Sequence, residues 1–123
     1  MSTERSILIV DDFEATRAIT KFTLQRVGYK VYEAADGQEA LSLLGKSPID
    51  LIITDLSMPN MDGLALTSAL RTTSNYRYTP VLMLSTTSRE LHKDDPRMSN
   101  LTGWITKPYT VTNFLSTVQK AIR

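Results

Sequence analysis

Five short apolar runs, separated by longer stretches of helical spacing, constrain this chain more than any other feature. The first is Ile7-Leu8-Ile9-Val10, ending at Asp11-Asp12. Residues 29–34 read Tyr-Lys-Val-Tyr-Glu-Ala and alternate as an edge strand does. Leu51-Ile52-Ile53 ends at Thr54-Asp55, Val81-Leu82-Met83-Leu84 ends at Ser85, and Trp104-Ile105-Thr106 ends at Lys107-Pro108. Runs apolar on both faces suit central strands of a parallel sheet covered by helices; a sheet wetted on one side would alternate. At 123 residues, one domain buries about two-thirds of its unfolded surface and folds without staples.

Helical spacing fills the gaps. Phe13, Ala15, Ala18, Ile19, Phe22 and Val27 recur at near-helical intervals until Gly28 stops the element. Ala40, Leu41, Leu43 and Leu44 predict a short second helix closed by Gly45 and Pro48. Leu64, Leu66, Ala69 and Leu70 predict a third, with Asp62 as N-cap. Val111, Phe114, Leu115, Val118 and Ile122 predict a last one, capped by Thr110 or Thr112. Residues 86–102 have little periodicity, and Pro96 fits only a first helical turn, after Asp95 and before Gly103. The fourth helix is therefore expected to be short, late or irregular. Strand–helix alternation of this kind gives an open α/β sheet with right-handed crossovers.

Parallel strands bring Asp11, Asp12, Asp55, Ser85 and Lys107 to one sheet edge, where open α/β sheets bind ligands. Taken singly, an Asp after a strand is an ordinary turn or cap residue; four strand ends converging on one chemistry are not ordinary. Three ionised carboxylates repel, and the single ammonium of Lys107 does not balance them. A hard oxygen-seeking ion such as Mg²⁺ does. Such an ion beside a carboxylate, a lysine and a hydroxyl suits phosphoryl transfer. No glycine-rich phosphate loop is present, so a carboxylate is the plausible phosphoryl acceptor. The absence of Cys removes disulfides, thiolate zinc sites and cysteine nucleophiles. A net charge of +1 recruits neither nucleic acid nor anionic membrane. No apolar run approaches the roughly 20 residues of a membrane span, and the polar residues 1–6 have no signal-peptide core. A cytoplasmic location is expected.

These residues resemble the receiver domain of two-component response regulators, nearest the single-domain chemotaxis (CheY-like) type. The resemblance runs over nearly the whole chain. It rests on Asp11-Asp12, the string Asp55-Leu-Ser-Met-Pro-Asn-Met-Asp-Gly63, Ser85 and Lys107-Pro108. It implies a flavodoxin-like doubly wound sheet of order 2-1-3-4-5 in a single domain, 1–123, with 1–6 as a polar extension. It implies that Asp55 is the phosphoacceptor, loaded by a histidine kinase or histidine phosphotransfer protein. Asp12, Asp55 and the backbone carbonyl of Ser57 would ligate Mg²⁺, with Asp11 holding it through water. Lys107 would pair with Asp55 and then with the phosphoryl group. Ser85 would turn toward that group, and Trp104 would stand where an aromatic ring changes rotamer. Pro59 and Gly63 would shape the loop after Asp55. Ser57 and Thr87 would tune acyl-phosphate hydrolysis, and Thr86, where Ala or Gly is common, would narrow access. The surface of helix 4, strand 5 and helix 5 would dock an output protein, as a monomer or a phosphorylation-dependent dimer. Self-catalysed phosphorylation and dephosphorylation would be slow at most.

Two other functions fit parts of the pattern. A phosphorylation-independent scaffold would use the fold without the chemistry, but would have no need of the complete acidic set. An aspartate-based phosphatase would want a second Asp two residues after Asp55, where Ser57 stands. Elsewhere the plain readings hold: His92 as a solvated surface residue, Asp94-Asp95 as cap and loop charge, Tyr76 and Tyr78 as loop packing. Arg71, Arg77, Arg89, Lys93 and Arg97 read as a solvated face.

Overall fold

A computed structural model describes residues 4–122. Strands β1 (Ser6–Val10), β2 (Lys30–Ala34), β3 (Leu51–Asp55), β4 (Val81–Ser85) and β5 (Gly103–Thr106) form one parallel sheet in the order β2-β1-β3-β4-β5. Helices α1 (Glu14–Gln25), α2 (Gly37–Leu44), α3 (Gly63–Arg71) and α4 (Val111–Ile122) flank it. This is the expected flavodoxin-like order. The polar extension expected over residues 1–6 ends sooner. Met1, Ser2 and Thr3 lie outside the described residues, as does Arg123, and Ser6 already opens β1, its N–H donating to Asp50 at 2.8 Å.

Alternate residues of each strand point to opposite faces, which divides the core. Ile7, Ile9, Ile53 and Leu82 pack with Leu24 of α1 and Phe114 and Val118 of α4. Leu8, Val10, Ile52 and Val81 pack with Ala40 and Leu44 of α2 and Leu66 and Leu70 of α3. All of β1 and β4 is buried, while β2 is partly exposed, as its alternation predicts. Asp62 caps α3 by accepting from the Ala65 N–H at 2.8 Å, and Thr110 caps α4 by accepting from Asn113 at 3.1 Å. Among the described residues, no helix is long and apolar enough to cross a membrane.

Two segments depart from the sequence expectation. The apolar residues that announce α1 face outward: Phe13, Ile19 and Phe22 are all more than 60% exposed. Its inner face is Thr20 and Leu24, flanked by Arg17 and Lys21, whose side chains reach Glu33 of β2 at 3.1 and 2.9 Å. The irregular fourth helix is not α-helical at all. Two 3₁₀ turns, Arg89–His92 and Pro96–Asn100, connect β4 to β5. Asp95 caps the second turn and Pro96 opens it, as expected. Proline lacks an N–H and disfavours α geometry in the preceding residue, so one continuous helix cannot form there. Arg71 leaves the solvated face assigned to it and clamps this segment, donating to the carbonyls of Thr79 and Asn100 at 2.7 Å each.

Candidate functional site

All five strands end on the same side of the molecule. The connections after β1 and β3 diverge there, which opens a crevice at the carboxyl edge. Asp11 follows β1, and its N–H extends the ladder to Ala34 at 3.1 Å. One of its carboxylate oxygens accepts from the Phe13 N–H at 2.9 Å. The other, Oδ2, is buried and without a partner, the sole such side-chain atom among the described residues. Asp12 beside it is exposed.

Asp55 ends β3, and its Oδ1 accepts from Lys107 Nζ at 2.7 Å. Lys107 is anchored in turn by its own N–H, which donates to the Ser85 carbonyl at 2.7 Å, and its peptide to Pro108 is cis. Ligand atoms of Asp11, Asp12 and Asp55 all lie within 4.8 Å of one another. Burial pushes the Asp11 carboxyl above the usual carboxylate range; the charge of Asp55 adds to this, while the Phe13 N–H and Lys107 oppose it. An all-oxygen donor set with a buried, unpartnered oxygen suits a hard dication.

The loop after Asp55 is held on both sides. The Leu56 N–H donates to Leu84 at 3.0 Å, and the Gly63 N–H returns to Leu56 at 2.8 Å. Asn60 takes the left-handed conformation, φ 71°, that reverses the chain. Gly63 has to be glycine. A Cβ there would collide with the Asp55 carbonyl oxygen and lie 2.6 Å from the Met83 sulfur. The start of α3 thus presses directly on the backbone of Asp55.

Asp55, Ser57, Leu84, Ser85, Thr86 and Lys107 enclose a cavity of about 50 Å³. Ser85 is buried within it, whereas Thr86 and Ser57 are exposed at its mouth. A larger cleft of about 670 Å³ opens alongside, lined by Asp12, Ser57, Pro59, Asp62, His92 and Arg97 among others. Asp11, Asp12, Asp55, Ser57, Ser85, Thr86 and Lys107 are together at this edge, and Trp104, within β5, reaches it through its bond to the Thr87 carbonyl.

His92 is the residue sequence reasoning missed. It is half-buried, not a free surface residue. Its Nε2 lies 2.9 Å from Thr87 Oγ1, which lies 2.8 Å from Ser85 Oγ. The Thr87 N–H also donates to Ser85 Oγ, at 3.0 Å. The His92 ring packs on Trp104 with centroids 5.2 Å apart, and Trp104 Nε1–H donates to the Thr87 carbonyl at 3.1 Å. Trp104 itself sits half-buried against Leu56, Leu64 and Met83. No sequence signal links His92 to Ser85, because the link needs the turn at Arg89–His92 to fold back over β5.

Comparison with known proteins gives a consistent result. Residues 7–119 match the family described as the response regulator receiver domain. The chemotaxis protein CheY-3 of Vibrio cholerae is 34% identical over 115 residues, 93% of this chain and 88% of that protein. The solved structure of chemotaxis protein CheY4 from the same species has a TM-score of 0.90 at 39% identity, covering 97% of this chain and 99% of the other. The response regulator protein TrrA of Thermotoga maritima, solved in complex with Mg²⁺-BeF, has a TM-score of 0.85 at 26% identity, covering 95% and 98%.

Proposed function

Because the chain belongs to the response regulator receiver domain family, we propose that it is a phosphorylation-controlled switch whose phosphoacceptor is Asp55. The observation that carries this reading is the Lys107–Asp55 pair at 2.7 Å inside an acidic cluster with one buried carboxylate oxygen unpartnered. The donor is a histidine kinase or histidine phosphotransfer protein. An Asp55 oxygen attacks phosphorus, the bond from phosphorus to the donor's imidazole nitrogen breaks, and its electron pair stays on that nitrogen. Lys107 holds Asp55 in place and neutralises the charge that develops on the phosphoryl oxygens.

Mg²⁺ would be held by Asp12, Asp55 and the Ser57 carbonyl, with Asp11 behind them; it supplies charge neutralisation for the transferring group. The complex of TrrA with Mg²⁺-BeF supports that choice of ion. Ser85 donates its hydroxyl hydrogen to the new phosphoryl group. Thr86 and Ser57 set access, and Thr87 tunes hydrolysis. Self-catalysed turnover is slow at most, since neither Ser57 nor Thr87 is a base for an attacking water. Trp104, bonded to Thr87, carries the change to the surface made by the two 3₁₀ turns, β5 and α4. This is the counterpart of the expected helix 4, strand 5 and helix 5 face. A cavity of about 240 Å³ there, lined by Leu82, Thr102, Gly103, Thr117, Lys120 and Ala121, is where an output protein would dock.

The test uses the single tryptophan. Acetyl phosphate or beryllofluoride with Mg²⁺ is expected to change Trp104 fluorescence in the wild type and leave Asp55→Asn unchanged. An equal response in both proteins would exclude Asp55 as the acceptor.

A further inference from the structure

Ser85 Oγ, Thr87 Oγ1 and His92 Nε2 form an unbroken chain with links of 2.8 and 2.9 Å. Each hydroxyl has one hydrogen to give. The chain therefore has a direction, and the imidazole sets it. When Nε2 lacks a proton it accepts the hydrogen of Thr87. Thr87 Oγ1 then accepts from Ser85, and the Ser85 hydrogen points away from Asp55. When Nε2 bears a proton, in the imidazolium or in the neutral Nε2–H tautomer, it donates to Thr87, Thr87 donates to Ser85, and the Ser85 hydrogen is free to face the cavity it shares with Asp55 and Lys107. The Thr87 N–H donates to Ser85 Oγ in the structure and is compatible with either direction.

We propose that His92 is a positioning residue of the phosphoacceptor site: through Thr87 it decides whether Ser85 offers its hydrogen to a phosphoryl group on Asp55. The inference rests on the phosphoacceptor reading of Asp55 and assigns that site a proton-dependent control. Trp104 serves as the bearing for the ring, packing against His92 at a tilt of 31° while its own N–H holds the Thr87 carbonyl. By linkage, a phosphoryl group that draws on the Ser85 hydrogen also favours the protonated Nε2, and protonation of His92 favours the phosphoryl group to the same extent.

The charged surroundings of the ring are few. Asp12, Asp62, Asp95 and Arg97 line the cleft that His92 shares. Arg97 pulls the Asp95 carboxyl down to about 2, so that group stays ionised wherever an imidazole ordinarily titrates. On the turn that carries His92, Arg89 is exposed and Lys93 pairs with Glu90 at 3.0 Å. From β5 and the loop after β4, Trp104 and Thr87 face the ring and do not titrate.

The experiment compares wild type with His92→Phe, which keeps a ring against Trp104 and lacks Nε2. Binding of beryllofluoride in saturating Mg²⁺ is measured between pH 5.5 and 8, and the ring nitrogens of the only histidine are followed by NMR. Relative to His92→Phe, which leaves the Thr87 hydroxyl free to donate to Ser85, the wild type is expected to bind about tenfold more weakly at the alkaline end and to draw level at the acid end, the size of one charge-assisted hydrogen bond. On binding, Nε2 is expected to become protonated, which the ring-nitrogen shifts read directly. The pH response of the carboxylates is common to both proteins and cancels in the ratio. Thr87→Val, which cuts the chain at its middle, is expected to abolish both effects while still binding the mimic. Identical pH profiles in wild type and His92→Phe, or an Nε2 whose proton ignores beryllofluoride, would overturn the role of His92 alone. Failure of the wild type to bind beryllofluoride at any pH would overturn the phosphoacceptor reading itself.

Discussion

At the ends of β1 and β3 the site is short of partners; at the ends of β4 and β5, Ser85, Thr87, His92, Trp104 and Lys107 are all bonded. Asp11, Asp12 and Asp55 crowd their carboxylates within 4.8 Å, and Asp11 Oδ2 is buried with nothing to bond. Across the crevice, Ser85, Thr87, His92 and Trp104 bond to one another in series. Lys107 spans the divide, its ammonium on Asp55 and its backbone on Ser85. The two halves are thus prepared for opposite events. The acidic half gains from any cation that enters. The hydroxyl half already holds its hydrogens in a chain, and on the proposed reading a phosphoryl group draws on Ser85 only when Thr87 donates to it.

The largest effect comes from breaking the frame that both halves share. Gly63→Ala places a methyl group against the Asp55 carbonyl and the Met83 sulfur. Overlap with backbone is not relieved by a rotamer change, so a loss of about 3 kcal/mol is expected in urea denaturation. A loss below about 0.5 kcal/mol would mean that α3 is free to withdraw from Asp55.

Asp11→Asn should act with the opposite sign. Burial and Asp55 raise the Asp11 titration in the folded state, so the folded chain holds that proton more tightly than the unfolded one. Metal-free stability is then fully present below the ordinary carboxylate range and declines as pH rises through the raised value. The amide keeps an acceptor for the Phe13 N–H and removes the charge. At pH 7 without Mg²⁺, Tm is expected to rise by about 3 °C, while Mg²⁺ affinity by calorimetry falls. A lower Tm would show that the acidic half is not under electrostatic load.

Thr87→Val probes the satisfied half alone. It removes two hydroxyl contacts and keeps the backbone bonds to Ser85 and Trp104. A loss of about 1 kcal/mol is expected, with Mg²⁺ affinity unchanged within about twofold. A larger change in Mg²⁺ affinity would mean that the halves are coupled before any phosphoryl group arrives.

The acidic half was the more legible in sequence, for a physical reason. Asp11, Asp12, Asp55, Ser85 and Lys107 each follow directly from a strand, and parallel strands deliver their ends to one place. His92 does not follow from a strand. Its position depends on two 3₁₀ turns, forced by Pro96 and clamped by Arg71, that have no periodic signature. Helix α1 was legible as a helix but not in its orientation. Apolar spacing fixes which residues share a face, and the face turned inward is the one that carries Thr20 and Leu24, with Arg17 and Lys21 reaching Glu33 on the edge strand.

That ion pair supplies the smallest prediction and a control for the Asp11 argument. Glu33 is a carboxylate with two cations and partial solvent; Asp11 is one with too few cations and no solvent. The bond from Lys21 lowers the Glu33 titration most; burial opposes it, and the bond from Arg17 adds to the lowering. The pH dependence is therefore opposite to that of Asp11: the stabilisation is present above the unfolded carboxylate value of about 4.3 and is lost as pH falls through the lowered folded value. With 32% of the Glu33 side chain exposed, screening reduces the effect to about 0.5 kcal/mol. Glu33→Gln should cost that much at pH 7, less in 1 M salt, and progressively less as pH falls through the lowered folded value, by thermal denaturation. If Glu33→Gln and Asp11→Asn shifted stability in the same direction at pH 7, charge pairing would not be what distinguishes the two carboxylates, and the contrast between the halves of the site would need another cause.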